Sequence, residues 1–353
     1  MPVGDYDAIV VGASFAGLAV ARQLHGRILL LDRHEVGAVQ TSACGTPLWV
    51  PESLGVVSSV LQVHDRLMLK TPYRTVTYDL SAVPFCTFDY RAFCRGLLDQ
   101  CRARFLRAGV TGMADRQVIT TEGRFSAPVI VDCTGWRGAL VSGPAAGTPI
   151  GRGYSFGLET RTGRREEGLW FLLDQDIIPR GLGWIFPVGE GTLIGLGSYA
   201  GQSKLRPALE RLLGELGLAP AAYHGTYFPN RLLRPTTGRI FAVGDAAGQC
   251  LPLTAEGIRP ALYFGGECGG LIQRVLDGGL TLPQALEAYR RLVEHYRGAY
   301  RVLAWAQWLA AHAPPRWFAA WSELAARRPL RERWWPRYGW FGRWNPRMAA
   351  VPA

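Results

Sequence analysis

The sequence has almost no lysine and no long apolar run. Only Lys70 and Lys204 occur, so 37 of the 39 basic residues are arginines. No stretch reaches the roughly 18 apolar residues that a bilayer-spanning helix needs. The apolar stretch that follows Met1 is interrupted by Gly12 and Gly17, unlike the core of a secretory signal peptide. We therefore expect a soluble or membrane-surface protein of the cytoplasm.

Paired cysteines are also missing. The seven cysteines include no CxxC pair and no repeated spacing. An odd number without such spacing argues against a disulfide framework and against a zinc site. We expect free thiols in a reducing compartment and no bound metal.

The composition is that of a globular protein with a basic end. A length of 353 residues suggests about two domains, and 48% apolar with 19% charged residues excludes a disordered chain. The net charge of +11 is concentrated in residues 290–353, which contain twelve arginines and three acidic residues. No nucleic-acid-binding motif accompanies this basic region, so nucleic acid is not expected as a partner.

The same region is rich in tryptophan, with eight of the twelve in the chain. Indole and arginine together suit a membrane interface, where they meet lipid headgroups. The alternative is a helical layer packed on the protein body, because apolar residues recur at three- and four-residue steps. Both interpretations can hold together. The tryptophans are Trp305, Trp308, Trp317, Trp321, Trp334, Trp335, Trp340 and Trp344, and the periodic residues are Leu286, Tyr289, Val293, Tyr296, Tyr300 and Leu303.

Hydrophobic patterning predicts an α/β fold with a Rossmann-like domain, an inserted, mostly antiparallel β-sheet domain and a helical C-terminal region. Strands are expected at 7–11, 27–32, 154–160, 169–173, 183–187, 192–199 and 239–245. Helices are expected at 18–24 and 204–217, from about Ile258, and near Pro283 with Thr281 as its cap. The expected nucleotide domain comprises residues 1–70, 88–150 and 225–285, the substrate domain 71–87 and 151–224, and the C-terminal region 286–353.

A dinucleotide-binding turn follows the first strand. Gly12 permits the tight turn, Gly17 permits close packing of helix on strand, and Ser14 replaces the usual middle glycine. Asp32 lies twenty residues after Gly12, the spacing of a carboxylate that binds a ribose hydroxyl. With strand, turn, helix and acid in register, these residues predict a bound dinucleotide.

A second Gly-Asp pair indicates which dinucleotide. Gly244-Asp245 ends a strand before a new helix, as in FAD enzymes of the glutathione-reductase type, where the acid approaches the ribityl chain. No second glycine turn follows a strand elsewhere in the sequence. FAD is therefore the predicted cofactor, and a separate NAD(P)H domain is not expected.

Five motifs in chain order are similar to those of one family. They are Ala43-Cys44-Gly45, Asp89-Tyr90-Arg91-Ala92-Phe93, Asp132-Cys133-Thr134-Gly135-Trp136, Trp184-Ile185-Phe186-Pro187 with Gly195-Leu196-Gly197, and Gly244-Asp245 with Pro252-Leu253-Thr254-Ala255-Glu256-Gly257-Ile258. From residue 5 to about 290 the chain resembles the geranylgeranyl reductase family of FAD-dependent oxidoreductases, which share the p-hydroxybenzoate hydroxylase fold. Ala255 departs from the family's glycine.

The resemblance implies FAD contacts and a chemistry. The expected cofactor-binding residues are Gly12, Ala13, Ser14, Gly17, Asp32, Arg33, Cys44, Gly45, Arg91, Asp245, Pro252, Gly257 and Ile258, and the expected substrate-binding residues are Trp184, Phe186 and Pro187. The family reduces isolated C=C bonds of isoprenoid chains with a hydride from N5 of reduced flavin. The expected partners are a small-molecule or lipid isoprenoid, an external electron donor (NAD(P)H or a redox protein) and, through the tail, the inner face of the membrane.

Cys44 is the predicted catalytic residue, as a proton donor beside the flavin. Its alternative role is a small apolar residue in a tight turn. Trp170, Phe171, Trp184 and Phe186 are either tunnel-lining residues or members of a sheet core.

Other functions share these motifs. An aromatic hydroxylase (a monooxygenase) or a lycopene-type cyclase would share the FAD contacts, and a flavin-binding membrane-surface protein would need no turnover. A flavin halogenase is disfavoured, because Phe186 stands where its motif has tryptophan and lysine is scarce.

Overall fold

The computed structural model describes residues 5–114, 116–141 and 153–339. In chain order its strands are β1 (Ala8–Val11), β2 (Ile28–Asp32), β3 (Gly45–Pro47), β4 (Val60–His64), β5 (Arg66–Lys70), β6 (Thr75–Asp79), β7 (Phe85–Phe88), β8 (Arg104–Arg107), β9 (Val110–Ala114), β10 (Gln117–Thr120), β11 (Gly123–Ser126), β12 (Val129–Asp132), β13 (Tyr154–Thr162), β14 (Leu169–Leu172), β15 (Gly181–Pro187), β16 (Thr192–Ser198), β17 (Tyr223–Pro229), β18 (Thr236–Thr237) and β19 (Ile240–Ala242).

The helices within the described ranges are α1 (Phe15–Ala21), α2 (Trp49–Ser53), α3 (Tyr90–Leu98), α4 (Arg206–Glu215), α5 (Ile258–Leu276), α6 (Leu282–His295), α7 (Arg297–His312), α8 (Pro315–Ala326) and α9 (Arg328–Gly339). The predicted cap of α6 is confirmed, because Thr281 and Gln284 form a reciprocal capping box. In the part of the chain that the structure describes, no helix is long and apolar enough to cross a membrane.

The first sheet has six strands in the order β18-β19-β12-β1-β2-β8, parallel except for the β18–β19 pair. Its central strands are almost entirely apolar, and every residue of β1 is buried. Such continuous apolar runs are typical of parallel strands that are covered on both faces. Strand β1 directly precedes the Gly12 turn, so the predicted nucleotide turn lies at the carboxyl edge of this sheet.

The second sheet has seven strands in the order β17-β13-β16-β15-β14-β5-β6. All neighbours are antiparallel except β14 and β5, which confirms a mostly antiparallel sheet. Helix α4 packs on one face, where Leu209 and Leu213 belong to one buried apolar cluster with Ile194 and Leu196. The opposite face is left for a cavity.

Two strands place the boundaries of this sheet differently from the expectation. Strand β5 (Arg66–Lys70) fell in the expected nucleotide domain but pairs with β14 and β6. Strand β17 (Tyr223–Pro229), which the expected boundary at residue 224 would cut, pairs along its whole length with β13. We therefore propose that the substrate domain begins before Arg66 and ends after Pro229.

The C-terminal helices pack on the body along the predicted apolar face. Tyr289, Val293 and Tyr300 are at most 3% exposed. The same region nevertheless exposes four tryptophans, each more than half accessible: Trp305, Trp308, Trp317 and Trp321. The packing interpretation therefore holds for α6 and part of α7, while the outer tryptophans remain open to a partner. Trp340 and Trp344 lie outside the described residues.

Glycines bring α1 and α5 into close contact beside the first sheet. A Cβ at Gly265 would lie 2.8 Å from the Ala16 carbonyl oxygen and from the Ala19 Cβ, and one at Gly269 would lie 2.6 Å from the Val20 carbonyl oxygen. These distances are shorter than a carbon side chain tolerates. The position of α1, which directly follows the nucleotide turn, therefore depends on the glycines of α5.

We predict that Gly265→Ala lowers the free energy of unfolding by about 1–3 kcal/mol, because the added methyl group separates α1 from α5. The matched control is Gly298→Ala in α7, where a Cβ meets nothing within 4 Å. This control removes only the conformational entropy of a helical glycine and should stabilise the fold by up to about 1 kcal/mol. Denaturant unfolding measures both changes, and a neutral Gly265→Ala would contradict the packing argument.

Candidate functional site

Among the described residues, a large cavity lies between the two sheets. Its volume of about 1660 Å³ exceeds the roughly 300–1000 Å³ of an ordinary small-molecule pocket, so it has room for a dinucleotide and a second ligand. One end is lined by Gly12, Asp32 and Asp245, and the other by apolar side chains that include Leu69 and Trp335. The two Gly-containing strand ends, far apart in sequence, therefore meet at one site.

The turn after β1 has the geometry of a pyrophosphate-binding loop. Gly12 has φ 103°, and a Cβ there would lie 2.2 Å from the Cys133 carbonyl oxygen. Gly17 faces the Gly12 carbonyl, where a Cβ would lie 1.7 Å away, so it serves helix packing and does not line the cavity. Asp32 accepts hydrogen bonds from the backbone N–H groups of Ala13 (2.8 Å) and His34 (2.9 Å). Its remaining lone pairs can accept from a ribose hydroxyl, so these residues fit the predicted dinucleotide.

Ser14 forms a hydrogen bond with Tyr90, which was not among the predicted site residues. The hydroxyl groups of Ser14 and Tyr90 lie 2.9 Å apart, and Tyr90 lines the cavity. Arg91, the predicted contact, is exposed on α3 and does not line the cavity; its backbone lies against Gly37. The first turn of α3 directs Tyr90 toward the cavity, and the contact of Arg91 with the cofactor stays a prediction.

In the loop after Cys250, Ala255 stands where the resembled family has glycine. Ala255 has φ 54° and Leu253 has φ 68°, both in the left-handed region that glycine prefers. Tyr199 donates a hydrogen bond to the Leu253 carbonyl (2.7 Å), which helps to hold this strained loop. Gly257 and Ile258 line the cavity, whereas Pro252 is buried and does not line it. The cofactor contacts of these three residues stay predictions.

The last described helix is joined to this loop by a buried charge network. Arg259 has no solvent exposure and forms an ion pair with Glu256. It also donates to the Tyr338 carbonyl (2.6 Å), and the Tyr338 hydroxyl donates to Glu256 (2.5 Å). A buried charge is stable only when it is paired in this way. Helix α9 therefore completes the loop that borders the cavity.

The Gly244-Asp245 turn is held from two C-terminal helices. Gln249 accepts from the Gly244 N–H (2.7 Å) and donates to the Tyr289 hydroxyl (3.0 Å), while Tyr300 donates to the Gln249 carbonyl (2.6 Å). Asp245 itself lines the cavity. Burial raises the pKa of its carboxyl to about 7, and ligand hydroxyl groups that donate to the carboxylate would offset that cost.

Cys44 does not have the placement of a proton donor. It is 2% exposed, belongs to the main apolar core and does not line the cavity, unlike its neighbours Ala43 and Gly45. Its thiol donates to the Ser42 carbonyl (3.2 Å). Burial, reinforced by the charge of Glu159, raises the pKa of this thiol well above its ordinary value. The geometry favours the interpretation of Cys44 as a small residue in a tight turn, with φ 56°.

Trp184 lies on a surface of glycines in the second sheet. A Cβ at Gly195 would lie 2.2 Å from the indole, and Cβ atoms at Gly157 and Gly197 would lie 3.4 and 3.3 Å from it. Because Gly195 has no side chain, the indole passes over β16 and donates to Glu159 Oε2 on β13 (2.8 Å). The W-x-F-P and G-x-G segments therefore form one unit in space.

Three of the four aromatic candidates line the cavity: Phe171, Trp184 and Phe186. Trp170 points to the opposite face of β14 and packs with the α4 cluster, because side chains alternate along a strand. Pro187 lies outside the lining, and its carbonyl accepts from the Thr87 hydroxyl (2.5 Å). Arg33 lines the nucleotide end.

Sequence reasoning missed the polar pair on this sheet. Glu159 is 3% exposed, and its Oε1 lies 2.5 Å from Nε2 of His224. The two residues are directly opposite in the β13–β17 register, and both line the cavity. They are separated by 65 positions in the chain, so only the strand pairing brings them together.

Comparison with known proteins supports the resemblance over part of the chain. No protein-family model matches it. The digeranylgeranylglycerophospholipid reductase of Methanothrix thermoacetophila is 30% identical over 129 residues, which cover 34% of this chain. The match spans about a third (33%) of that relative's length. The predicted resemblance to the geranylgeranyl reductase family is confirmed over this segment.

Solved structures extend the likeness in fold. A geranylgeranyl bacteriochlorophyll reductase-like protein from Thermoplasma acidophilum superposes with a TM-score of 0.80 at 17% identity, covering 92% of each chain. HpxO of Klebsiella pneumoniae, solved with FAD and uric acid, gives a TM-score of 0.68 at 16% identity and 97% coverage of each chain. The mixed α/β fold is therefore one that several flavoenzymes share.

We predict that Asp245→Asn stabilises the flavin-free protein in a pH-dependent way. Burial raises the pKa of the native Asp245 carboxyl from its ordinary value of 3.8 to about 7. Between these pH values the native state binds more protons than the unfolded state, so the free energy of unfolding falls as the pH rises. The variant should be more stable than wild type by about 2 kcal/mol near pH 8. This is about half of the free energy that the full pKa shift corresponds to, because Asp245 borders the open cavity and solvent there screens its charge.

The two proteins should be equally stable near pH 4, where both side chains are uncharged in the native state. Urea unfolding of flavin-free samples at both pH values measures the difference. Asp99→Asn, at an exposed position, is the control and should give the same difference at both. A pH-independent effect of Asp245→Asn would contradict the burial of this carboxyl.

Proposed function

We propose that this protein is an FAD-dependent oxidoreductase that reduces isolated C=C bonds of an isoprenoid or prenyl lipid. The observation that carries the proposal is the continuity of one cavity from a dinucleotide turn at Gly12 and Asp32 to an apolar space lined by Leu69, Phe171 and Trp335. The first part fits FAD, and the second fits a hydrocarbon chain. Relatives named digeranylgeranylglycerophospholipid reductase support this assignment.

The residues of the chain have separable tasks in this reaction. Reduction of a C=C bond needs a hydride, which reduced flavin would supply when bound, and a proton for the second carbon atom. The Gly12 turn and Asp32 bind the nucleotide, and Asp245 accepts hydrogen bonds from hydroxyl groups of the cofactor. The loop at 253–258 fixes the position of the ring edge with its backbone. The apolar side chains of the cavity exclude water and orient the isoprenoid chain for hydride transfer.

We propose that Arg33, Gly45, Gly257 and Ile258, all of which line the cavity, also contact FAD. The electron donor is proposed to be external, since the sequence offers only one dinucleotide turn.

The reductase assignment predicts that a geranylgeranyl lipid gains about two mass units per reduced bond when it is mixed, without oxygen, with dithionite-reduced protein.

Phe171→Trp should lower kcat/KM about tenfold, because the larger ring fills space that the isoprenoid chain occupies. Trp170→Phe, on the opposite face of the same strand, is the matched control and should leave kcat/KM unchanged.

Other outcomes identify the alternatives. Oxygen-dependent NADPH consumption with an aromatic acid would indicate a monooxygenase. A cyclised product of unchanged mass would indicate a cyclase. If the purified protein is colourless and cannot be reconstituted with flavin, both the cofactor assignment and the proposed reaction are wrong.

We further propose that the outer face of α7 and α8 contacts an anionic membrane. Trp305, Trp308, Trp317 and Trp321 are 56–68% exposed, an unusual area of indole for a protein surface. Exposed arginines on and beside the same helices (Arg301, Arg316 and Arg327) match the charge of anionic lipid headgroups. Trp334 and Trp335, on the next helix, line the apolar end of the cavity. A lipid substrate would thus reach the cavity from the side that carries the exposed tryptophans.

This contact predicts that Trp317→Ala/Trp321→Ala lowers binding to anionic vesicles at least tenfold, with smaller loss on neutral vesicles. Tyr73→Ala, also 61% exposed but outside the helices, is the matched control and should bind normally. Point variants are preferable to truncation, because Tyr300 and Trp335 belong to the core. Equal flotation of all three proteins would contradict the membrane contact, and dimerisation through this face would assign it to a second copy.

A further inference from the structure

One line of directly opposed residues crosses six strands of the second sheet and faces the cavity. In register order it contains His224, Glu159, Gly195, Trp184, Phe171 and Leu69, which we call the cavity row. Every member with a side chain lines the cavity. The row is polar at the β17 end and apolar at the β5 end. Its two ends therefore offer different chemistry to one bound molecule.

The polar end is a built site. The Glu159 carboxyl, 3% exposed, accepts hydrogen bonds from Nε1 of Trp184 (2.8 Å) and from Nε2 of Gln40 (3.2 Å). Nε2 of His224 lies 2.5 Å from its Oε1. Each carboxylate oxygen has two lone-pair sites, so capacity for one more donor from a ligand remains.

The apolar end continues into the hydrocarbon-like part of the cavity. Phe171 and Leu69 are adjacent across β14 and β5, and Leu169 and Phe186 line the same region. No main-chain donor or acceptor is free within a paired strand interior, so this part of the row offers only apolar contact. The part of a ligand that lies along this end of the cavity row must therefore be a hydrocarbon chain.

The charge around the row does not favour an anionic head group. Among the described residues that line the cavity, the basic side chains are Arg33, His34, Arg137 and His224. Arg33 and His34 directly follow Asp32 at the nucleotide turn, and Arg137 is exposed with its guanidinium 5.0 Å from the Trp136 ring. His224 is at the polar end, where it is matched by Glu159, and Arg137 lies near that end, because its turn packs on β17 and the Trp136 ring lies 5.1 Å from the Tyr227 ring. A phosphate at this end would meet the buried Glu159 carboxylate, and the exposed Arg137 guanidinium would offer it only a solvent-screened charge.

We propose that the cavity row binds the substrate as a neutral amphiphile, with a hydroxyl head that donates a hydrogen bond to the Glu159–His224 pair and an isoprenoid chain along Phe171 and Leu69. The isoprenoid part rests on the proposed function, and the head-group class is the new element. The substrate class is thus a prenyl alcohol or prenylated phenol, not a prenyl phosphate.

The wild-type protein alone tests this selectivity. Flavin-loaded full-length protein is titrated calorimetrically with geranylgeraniol, its methyl ether and geranylgeranyl diphosphate in neutral detergent. The alcohol should bind at least tenfold tighter than either competitor, because the ether has lost the donor and the diphosphate meets the carboxylate. This comparison needs no variant and so does not depend on how a substitution folds.

Variants then locate the selectivity. Glu159→Gln preserves the shape of the side chain and should reduce the preference for alcohol over ether about tenfold. Phe171→Leu should weaken the alcohol and the ether equally, since it acts on the chain. Trp170→Phe, on the other face of β14, should leave all three affinities unchanged.

The outcomes separate this inference from the proposed function. Equal affinity for alcohol and ether, or tighter binding of the diphosphate, overturns the head-group assignment even if the protein reduces prenyl chains. Loss of diphosphate binding in Arg137→Gln would then locate the anion at Arg137. Absence of binding by all three ligands overturns both proposals. An unreduced but selectively bound alcohol supports the row and contradicts the reductase.

Discussion

The arrangement depends on one steric constraint, the meeting of the β1 turn with the end of β12. There is no room for a side chain between Gly12 and the Cys133 carbonyl, and Gly17 brings α1 against the same turn. This contact places the N-terminus of α1, Asp32 at the end of β2 and Asp245 beyond β19 around one opening. The α5 glycines hold α1 there from outside the sheet. Without this contact, the two strand ends that frame the nucleotide end of the cavity would not converge.

The rest of the cavity is built by joining distant parts of the chain to this centre. The second sheet supplies a wall whose faces are divided by strand alternation, with α4 on one side and the ligand space on the other. The C-terminal helices hold the loops of the cavity by hydrogen bonds. Tyr289 and Tyr300 bond to Gln249, which holds the Gly244 turn, and Tyr338 bonds to Glu256. The basic, tryptophan-rich region is therefore part of the site and also carries exposed indole.

Local patterns were sufficient to predict the nucleotide end. The strand, turn, helix and acid of residues 7–32 follow from nearest neighbours in sequence, and the Thr281 cap follows from one short motif. Pairings between strands were not predictable in this way. Glu159 and His224 form a pair only through the β13–β17 register, and the contact between Tyr90 and Ser14 depends on which side of α3 faces the nucleotide turn. The glycine positions of the G-x-G segment acquire a reason only when Trp184 is placed over them.

The participation of α9 in the cavity wall has a consequence for biogenesis. Trp334, Trp335 and Tyr338 follow every strand of both sheets in the chain, so a ribosome releases them after the nucleotide turn has been made. Domains fold as their residues emerge, and a nascent chain that has formed both sheets would still have an open apolar trough. A cofactor that binds before α9 has packed would therefore bind to an incomplete cavity. The wall of the cavity is complete only after α9 has packed on the two sheets that precede it in the chain.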